Sequence, residues 1–322
     1  MINYPWHQPL WQQFLNIRQL QRLPHAILMT GPKGLAKTEL ALAISKYVLC
    51  QSPAETEACG RCHSCELFAA QAHPDHLLIE PEEGDKTIKI QQIRALIEKQ
   101  SLTSNIAAWK TVVLHPAHKM TNNASNSLLK LLEEPPAQTL FILVSSQPQQ
   151  LPITIRSRCQ LWPMQSPSLE QAKSWLQGEQ IAISETQLQQ LLPLSQGAPL
   201  MIKQMLEANY DELCAQVNAD FEQLLTGKAN PIQMSSLWQE HDLLTVLNIL
   251  QYSMKNKLIS QPESQDSRGL WQIMDCIQQT IKLVSSSNNY NKTLLIEDFM
   301  ISVMRIGRTG QASSTSLSRV SL

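Results

Sequence analysis

Two short stretches of this chain carry residue types that could do chemistry. The first is GPKGLAKT at 31–38. Gly31, Gly34, Lys37 and Thr38 follow the phosphate-cradling pattern G-x-x-x-x-G-K-[ST], except that Ala36 stands where the second glycine belongs. In such a loop successive backbone N–H groups and a helix N-terminus point at phosphate. The lysine reaches the outer phosphates and the hydroxyl holds a magnesium ion. Next to the lysine, a backbone conformation open to glycine costs a residue with a β-carbon roughly 1–2 kcal/mol. Alanine is the smallest such residue, so weak nucleotide binding stays open.

The second stretch holds Cys50, Cys59, Cys62 and Cys65, spaced C-x8-C-x2-C-x2-C. Four thiolates in tetrahedral array make a closed structural zinc site, with no open position for a catalytic water. An iron–sulfur cluster is the rival, since C-x2-C-x2-C also begins ferredoxin motifs. No further cysteine follows at the ferredoxin spacing, and Cys50 already supplies a fourth ligand. Four free thiols are the third alternative. His63 and His73 are expected to be exposed polar residues, and Cys159, Cys214 and Cys276 buried inert thiols.

A phosphate-loop ATPase also needs an acidic residue at the end of a second strand to hold magnesium, usually followed by a glutamate that activates water. The matching strand, TVVLHPAHKM, ends instead in His115 and Pro116. Neither can act as a carboxylate, so hydrolysis by this chain reads as lost.

The elements that must position these residues are legible from apolar periodicity. AILMT (26–30), HLLIE (76–80), TVVLH (111–115) and LFILVS (140–145) have the length and composition of buried strands in a parallel sheet. Helical stretches lie between them: TELALAISKYVL, IQQIRALIEK and ASNSLLKLLEE, the last stopped by Pro135 and Pro136. Alternating strands and helices predict a doubly wound α/β domain over 1–165. A small helical domain follows at 166–207 and an all-helical one at 208–322. In the latter, Leu243, Leu247, Leu250 and Met254, then Leu270, Met274, Ile277, Ile281 and Val284, then Leu295, Phe299, Val303 and Ile306 each line one helix face. Those faces are either core or a subunit interface. SQPESQDSRG and VSSSNNYNK read as polar connectors, and GQASSTSLSRVSL as a loose tail.

Composition narrows the classes. With 26 basic against 27 acidic residues the net charge is −1, which argues against nucleic-acid binding by bulk electrostatics. MINYPWHQPLWQQF has no basic n-region and no apolar run, and nowhere do about 18 uncharged apolar residues occur together. Neither a secretory signal nor a membrane span is expected. Seven cysteines then suit a reducing cytoplasm, where clustered thiols bind metal.

The phosphate loop, the four-cysteine insertion at 50–65 after its helix, SNSLLKLLEEPP (125–136) and RSRCQ (156–160) form a combination that resembles the delta-prime family of bacterial clamp-loader subunits, in the AAA+ superfamily. YPWHQPLW, HPDHLLIEPEEG and NKTLLIEDFMI extend the resemblance over nearly the whole chain. It implies an AAA+ phosphate-loop domain with a parallel sheet and zinc module, a small helical lid and a C-terminal helical collar. It implies a ring of five subunits with gamma/tau and delta as partners, and contact with sliding clamp and primed DNA through the complex. It further implies that Arg158, of Ser157-Arg158-Cys159, reaches into a neighbour's ATP site, with Arg156 as the fallback. On the residues alone, the favoured reading is that Arg158 merely neutralises a helix C-terminus, and the resemblance reverses that preference. The motor subunits gamma and tau share the cysteines and the Ser-Arg-Cys motif but need an intact loop, an acidic pair and a lid arginine. This chain has Ala36, His115-Pro116 and GAPLM (197–201) there, which favours a non-hydrolysing subunit with a vestigial or weak nucleotide site over an ATP-hydrolysing motor.

Overall fold

The computed structural model describes residues 4–100, 106–260, 267–285 and 291–316. The strands are β1 (Ala26–Thr30), β2 (His76–Ile79), β3 (Lys110–Leu114), β4 (Thr139–Ser145) and β5 (Gln160–Pro163). The helices are α1 (Gln8–Gln19), α2 (Lys37–Leu49), α3 (His63–Ala69), α4 (Ile90–Gln100), α5 (Asn122–Glu133), α6 (Ile153–Arg156) and α7 (Leu169–Gly178). Then come α8 (Glu185–Leu194), α9 (Pro199–Glu207), α10 (Tyr210–Leu225), α11 (Pro231–Trp238), α12 (Leu243–Ser260), α13 (Ser267–Ser285) and α14 (Lys292–Ser316).

All five strands run parallel, in the order β2-β3-β4-β1-β5. Every residue of β1, β3 and β4 is buried, as a parallel sheet covered on both faces requires. Alternate residues serve opposite layers. Ile27, Met29, Ile142 and Val144 pack with Trp11, Phe14, Ile44 and Val48 of α1 and α2. Leu28, Leu114, Phe141 and Leu143 pack on the other face with Ile93, Leu96, Leu128 and Leu132 of α4 and α5. The edge strand β5 lies outside the four apolar runs because only Trp162 of its four residues is buried. α5 begins where Thr121 accepts from the Ala124 N–H and stops at Glu133, just before the two prolines.

The chain divides into two units, Met1–Ile183 with Ser195–Lys203, and Ser184–Leu194 with Gln204–Leu322. The second is all helical. Its core gathers Val217, Phe221, Trp238, Leu247, Leu250, Met254, Ile277, Phe299 and Val303, so the expected apolar stripes of α12 to α14 are mainly core. α14 runs to Ser316, further than the tail expected from Gly310 allows, because its helical hydrogen bonding carries on through the small polar residues. Residues 317–322 lie outside the described residues, as do most of the two polar connectors. No helix of the described residues is long and apolar enough to cross a membrane.

Candidate functional site

The loop 31–36 joins the carboxyl end of β1 to the first turn of α2, and its shape shows why the missing glycine matters. Ala36 caps α2 in the left-handed region, at φ 55° and ψ 40°. A β-carbon there costs about 1–2 kcal/mol that glycine would not. Gly34 has φ +86°, and a β-carbon on it would come within 2.7 Å of the Met201 amide nitrogen, so glycine alone allows that methionine to lie against the loop.

The loop is filled by its own chain. Leu35 is fully buried, and its carbonyl takes the Trp6 indole N–H at 3.0 Å with His7 Nε2 at 2.8 Å. Tyr4, Trp6, His7 and Trp175 form a contiguous aromatic group beside it. Lys37 turns inward, donates to the carbonyl of Pro32 in the same loop, and is 6% exposed. Burial lowers its pKa from 10.5 to about 8, against the opposing charge of Glu39. Thr38 follows in the first turn of α2.

At the carboxyl end of β3, His115 stands where a carboxylate was sought. Its Nδ1 is buried without a partner among the described residues. Burial depresses its pKa, with Glu80 opposing and Lys37 adding to the effect, so the ring is neutral at neutral pH. His118, held down to about 4 chiefly by burial, lies 3.1 Å from Ser145 Oγ at the end of β4. Glu80 and Glu39 bring negative charge near His115 from other elements, a juxtaposition that nothing local in the sequence signals. Neither stands at the end of β3.

The four thiols come together. Cys50 ends α2, Cys62 caps α3 and Cys65 lies within it, and the sulfurs of Cys50, Cys59, Cys62 and Cys65 all fall within 4.8 Å of one another. A tetrahedral ion with bonds of about 2.3 Å sets its sulfurs about 3.8 Å apart. Cys50 Sγ is 3.5 Å from Cys59 Sγ and 3.9 Å from Cys62 Sγ. Burial raises the Cys50 and Cys65 thiols, Cys65 to about 12, against the N–H groups of Cys59 and Gly60; the Arg61 N–H lowers Cys59, and Cys62 is lowered to about 6 against its burial, with the Gln51 N–H helping. The donor set fits one metal ion. Trp11 Nε1 donating to the Thr56 carbonyl and Tyr47 Oη to that of Ala54, each at 3.0 Å, strap the connecting loop to α1 and α2.

His63 is exposed as expected, but His73 is not: it is 5% exposed. Its Nδ1 accepts the Asp75 N–H at 3.1 Å, which leaves the proton on Nε2 for Ser64 Oγ at 2.8 Å, and Ser64 passes its own to the Leu49 carbonyl at 2.7 Å. This relay braces α2 and α3 behind the thiols. Cys159, Cys214 and Cys276 are partly buried, and burial raises each thiol, Cys159 to about 12 and Cys214 to about 11.

Ser157 and Arg158 follow the single turn of α6. The turn ends before the Thr154 carbonyl finds a helical partner, and Ser157 Oγ at 3.1 Å and Arg158 Nη1 at 2.9 Å both donate to it. Arg158 Nη2 meets Glu133 Oε1, at the end of α5, at 2.7 Å. The guanidinium therefore does sit at a helix C-terminus. Arg156 is exposed.

A family model described as DNA polymerase III, delta subunit, matches residues 6–168. The DNA polymerase III subunit delta' of Pseudomonas aeruginosa is 33% identical over 306 residues, 92% of this chain and 89% of that one. The chain belongs to the delta-prime family of DNA polymerase III subunits. The Escherichia coli relative is 37% identical over 196 residues, 61% of this chain and 58% of that protein. A gamma subunit-related structure from Thermotoga maritima covers 91% of this chain and is itself covered to 99%, at 18% identity and a TM-score of 0.49, too distant to add to the assignment.

In this delta-prime chain, the contacts missing from the sequence reading are those of Trp6 and His7 on the loop and of Glu133 on Arg158. Tryptophan and histidine near the start carry no local signal for a carbonyl 28 or 29 residues on. For Glu133 the only signal is its place before two prolines, which puts it at a helix end.

The buried Lys37 makes stability depend on pH. The native state disfavours its proton, so between about pH 8 and 10.5 the unfolded chain binds more protons and stability rises with pH. Below pH 8 the penalty is present in full. Lys37→Met should stabilise the chain at pH 7 by up to about 3 kcal/mol, with the gap closing towards pH 10. Urea unfolding of both proteins across that range checks this, and a gap that ignores pH would contradict it.

Proposed function

We propose that this chain is a non-hydrolysing, structural subunit of the bacterial clamp loader, which helps load the sliding clamp onto primed DNA and lends Arg158 in trans to a neighbour's ATP site. The observation that carries the reading is the end of β3, where neutral His115 and Pro116 replace the acidic pair that magnesium and water need. The left-handed Ala36 and the inward Lys37 agree with it: nucleotide must displace the lysine from its own loop, so binding at Gly31, Gly34, Lys37 and Thr38 is weak. On this reading the phosphate-loop sheet is an AAA+ core. Residues 166–207 act as lid and 208–322 as collar, in a five-membered ring with gamma/tau and delta in the cytoplasm. Clamp and DNA are reached through that complex. The four thiols hold a structural zinc, which with all four positions taken supplies rigidity and no chemistry.

Arg158 suits its role because a planar guanidinium can spread over the oxygens of a phosphoryl group in transfer, where charge develops. Its outward-lying turn, anchored at Thr154, presents it to a partner.

In the assembled complex with its motor subunits, Arg158→Ala should lower DNA-stimulated ATP turnover about tenfold or more while assembly, followed by size exclusion, is kept. Unchanged turnover sinks the trans role. The purified chain alone should turn over no more ATP than its Lys37→Ala variant; a clear difference would mark an active motor instead. Metal analysis of protein purified without added metal should give about one zinc per chain, lost in Cys62→Ser along with stability. Iron, or four alkylatable thiols, would refute zinc.

A further inference from the structure

The guanidinium of Arg158 has five N–H donors. One is spent on the Thr154 carbonyl at 2.9 Å and one on Glu133 Oε1 at 2.7 Å. The two anchors come from different elements, α6 and the last residue of α5, and they hold different terminal nitrogens. A group held at both Nη atoms cannot swing, yet three donors stay available. Both side chains of the pair are a third to a half exposed, so the contact is weak as a source of stability. Its value lies in direction. An arginine side chain loses rotamer freedom when fixed, and a cradle already in place spares that loss at the moment of docking.

We propose that Glu133 is the positioning residue for Arg158, orienting its guanidinium before the partner's phosphates arrive. This rests on the trans role of Arg158 given above. Glu133 touches no substrate itself; it acts through the arginine. It also explains why α5 must stop where it does. The prolines at 135 and 136 end the helix so that Glu133 faces α6 and not solvent beyond another turn.

The test uses the whole complex with ATP and primed DNA. Glu133→Ala should lower kcat two- to fivefold, about what a half-exposed ion pair supports, with KM for ATP and complex assembly unchanged. Glu133→Gln, which keeps an acceptor oxygen and loses the charge, should fall between. The double variant with Arg158→Ala should be no slower than Arg158→Ala alone. A purely structural glutamate would instead lower the melting temperature and add its effect to the arginine's. If Arg158→Ala is slow but Glu133→Ala is not, or if the two effects add, the positioning role is wrong. A rise in kcat for Glu133→Ala would also overturn it, by showing that the carboxylate competes with phosphate. If Arg158→Ala itself changes nothing, the trans reading has failed, and this inference fails with it for that separate reason.

Discussion

The three central strands of the parallel sheet have no face to spare for water, and that constraint organises the first unit. Helices must cover both sides, so every loop that leaves a strand's carboxyl end meets its neighbours along one rim. The phosphate loop after β1, His115 after β3 and Ser145 at the end of β4 share that rim. The backbone thus brings these groups to one rim, and their side chains decide what the rim can bind. Here Trp6 bonds the Leu35 carbonyl, Met201 lies against Gly34, Lys37 bonds its own loop, and a neutral imidazole stands at the end of β3.

The same scaffold fixes how Arg158 is held. Cys159 and Ile155 pack into the lower core, which fixes the one-turn helix between β4 and β5. What projects from that turn is set by rigid neighbours, and the leftover Thr154 carbonyl shows how economical the motif is. One unsatisfied acceptor orders both the serine and the arginine that follow. The loop that carries Lys37 and the turn that carries Arg158 follow different strands, β1 and β4.

Much of this was readable from residue order. Four strands announced themselves because burial on both faces demands continuous apolar runs, and the thiols did so because metal ligands need close spacing. β5 escaped because an edge strand buries only one side chain in four, and α1 because its tryptophans and glutamines carry no cap or clear start. His73 reads as a surface residue in the sequence; its burial depends on Ser64 and on the Asp75 amide, groups that only the folded chain brings together. Glu133 and Arg158 are likewise 25 positions apart, and no one-dimensional pattern pairs them.

Trp11 grips the thiol-bearing loop, while Trp6 and His7, just ahead of the same helix, grip Leu35. The amino-terminal segment is therefore pinned twice within six residues, once to the loop that carries the thiols and once to the loop after β1. Order in the cysteine-bearing loop keeps the Thr56 acceptor in place for Trp11, while Leu35 answers Trp6 and His7. One short stretch of chain thereby ties together two loops that the sequence sets far apart.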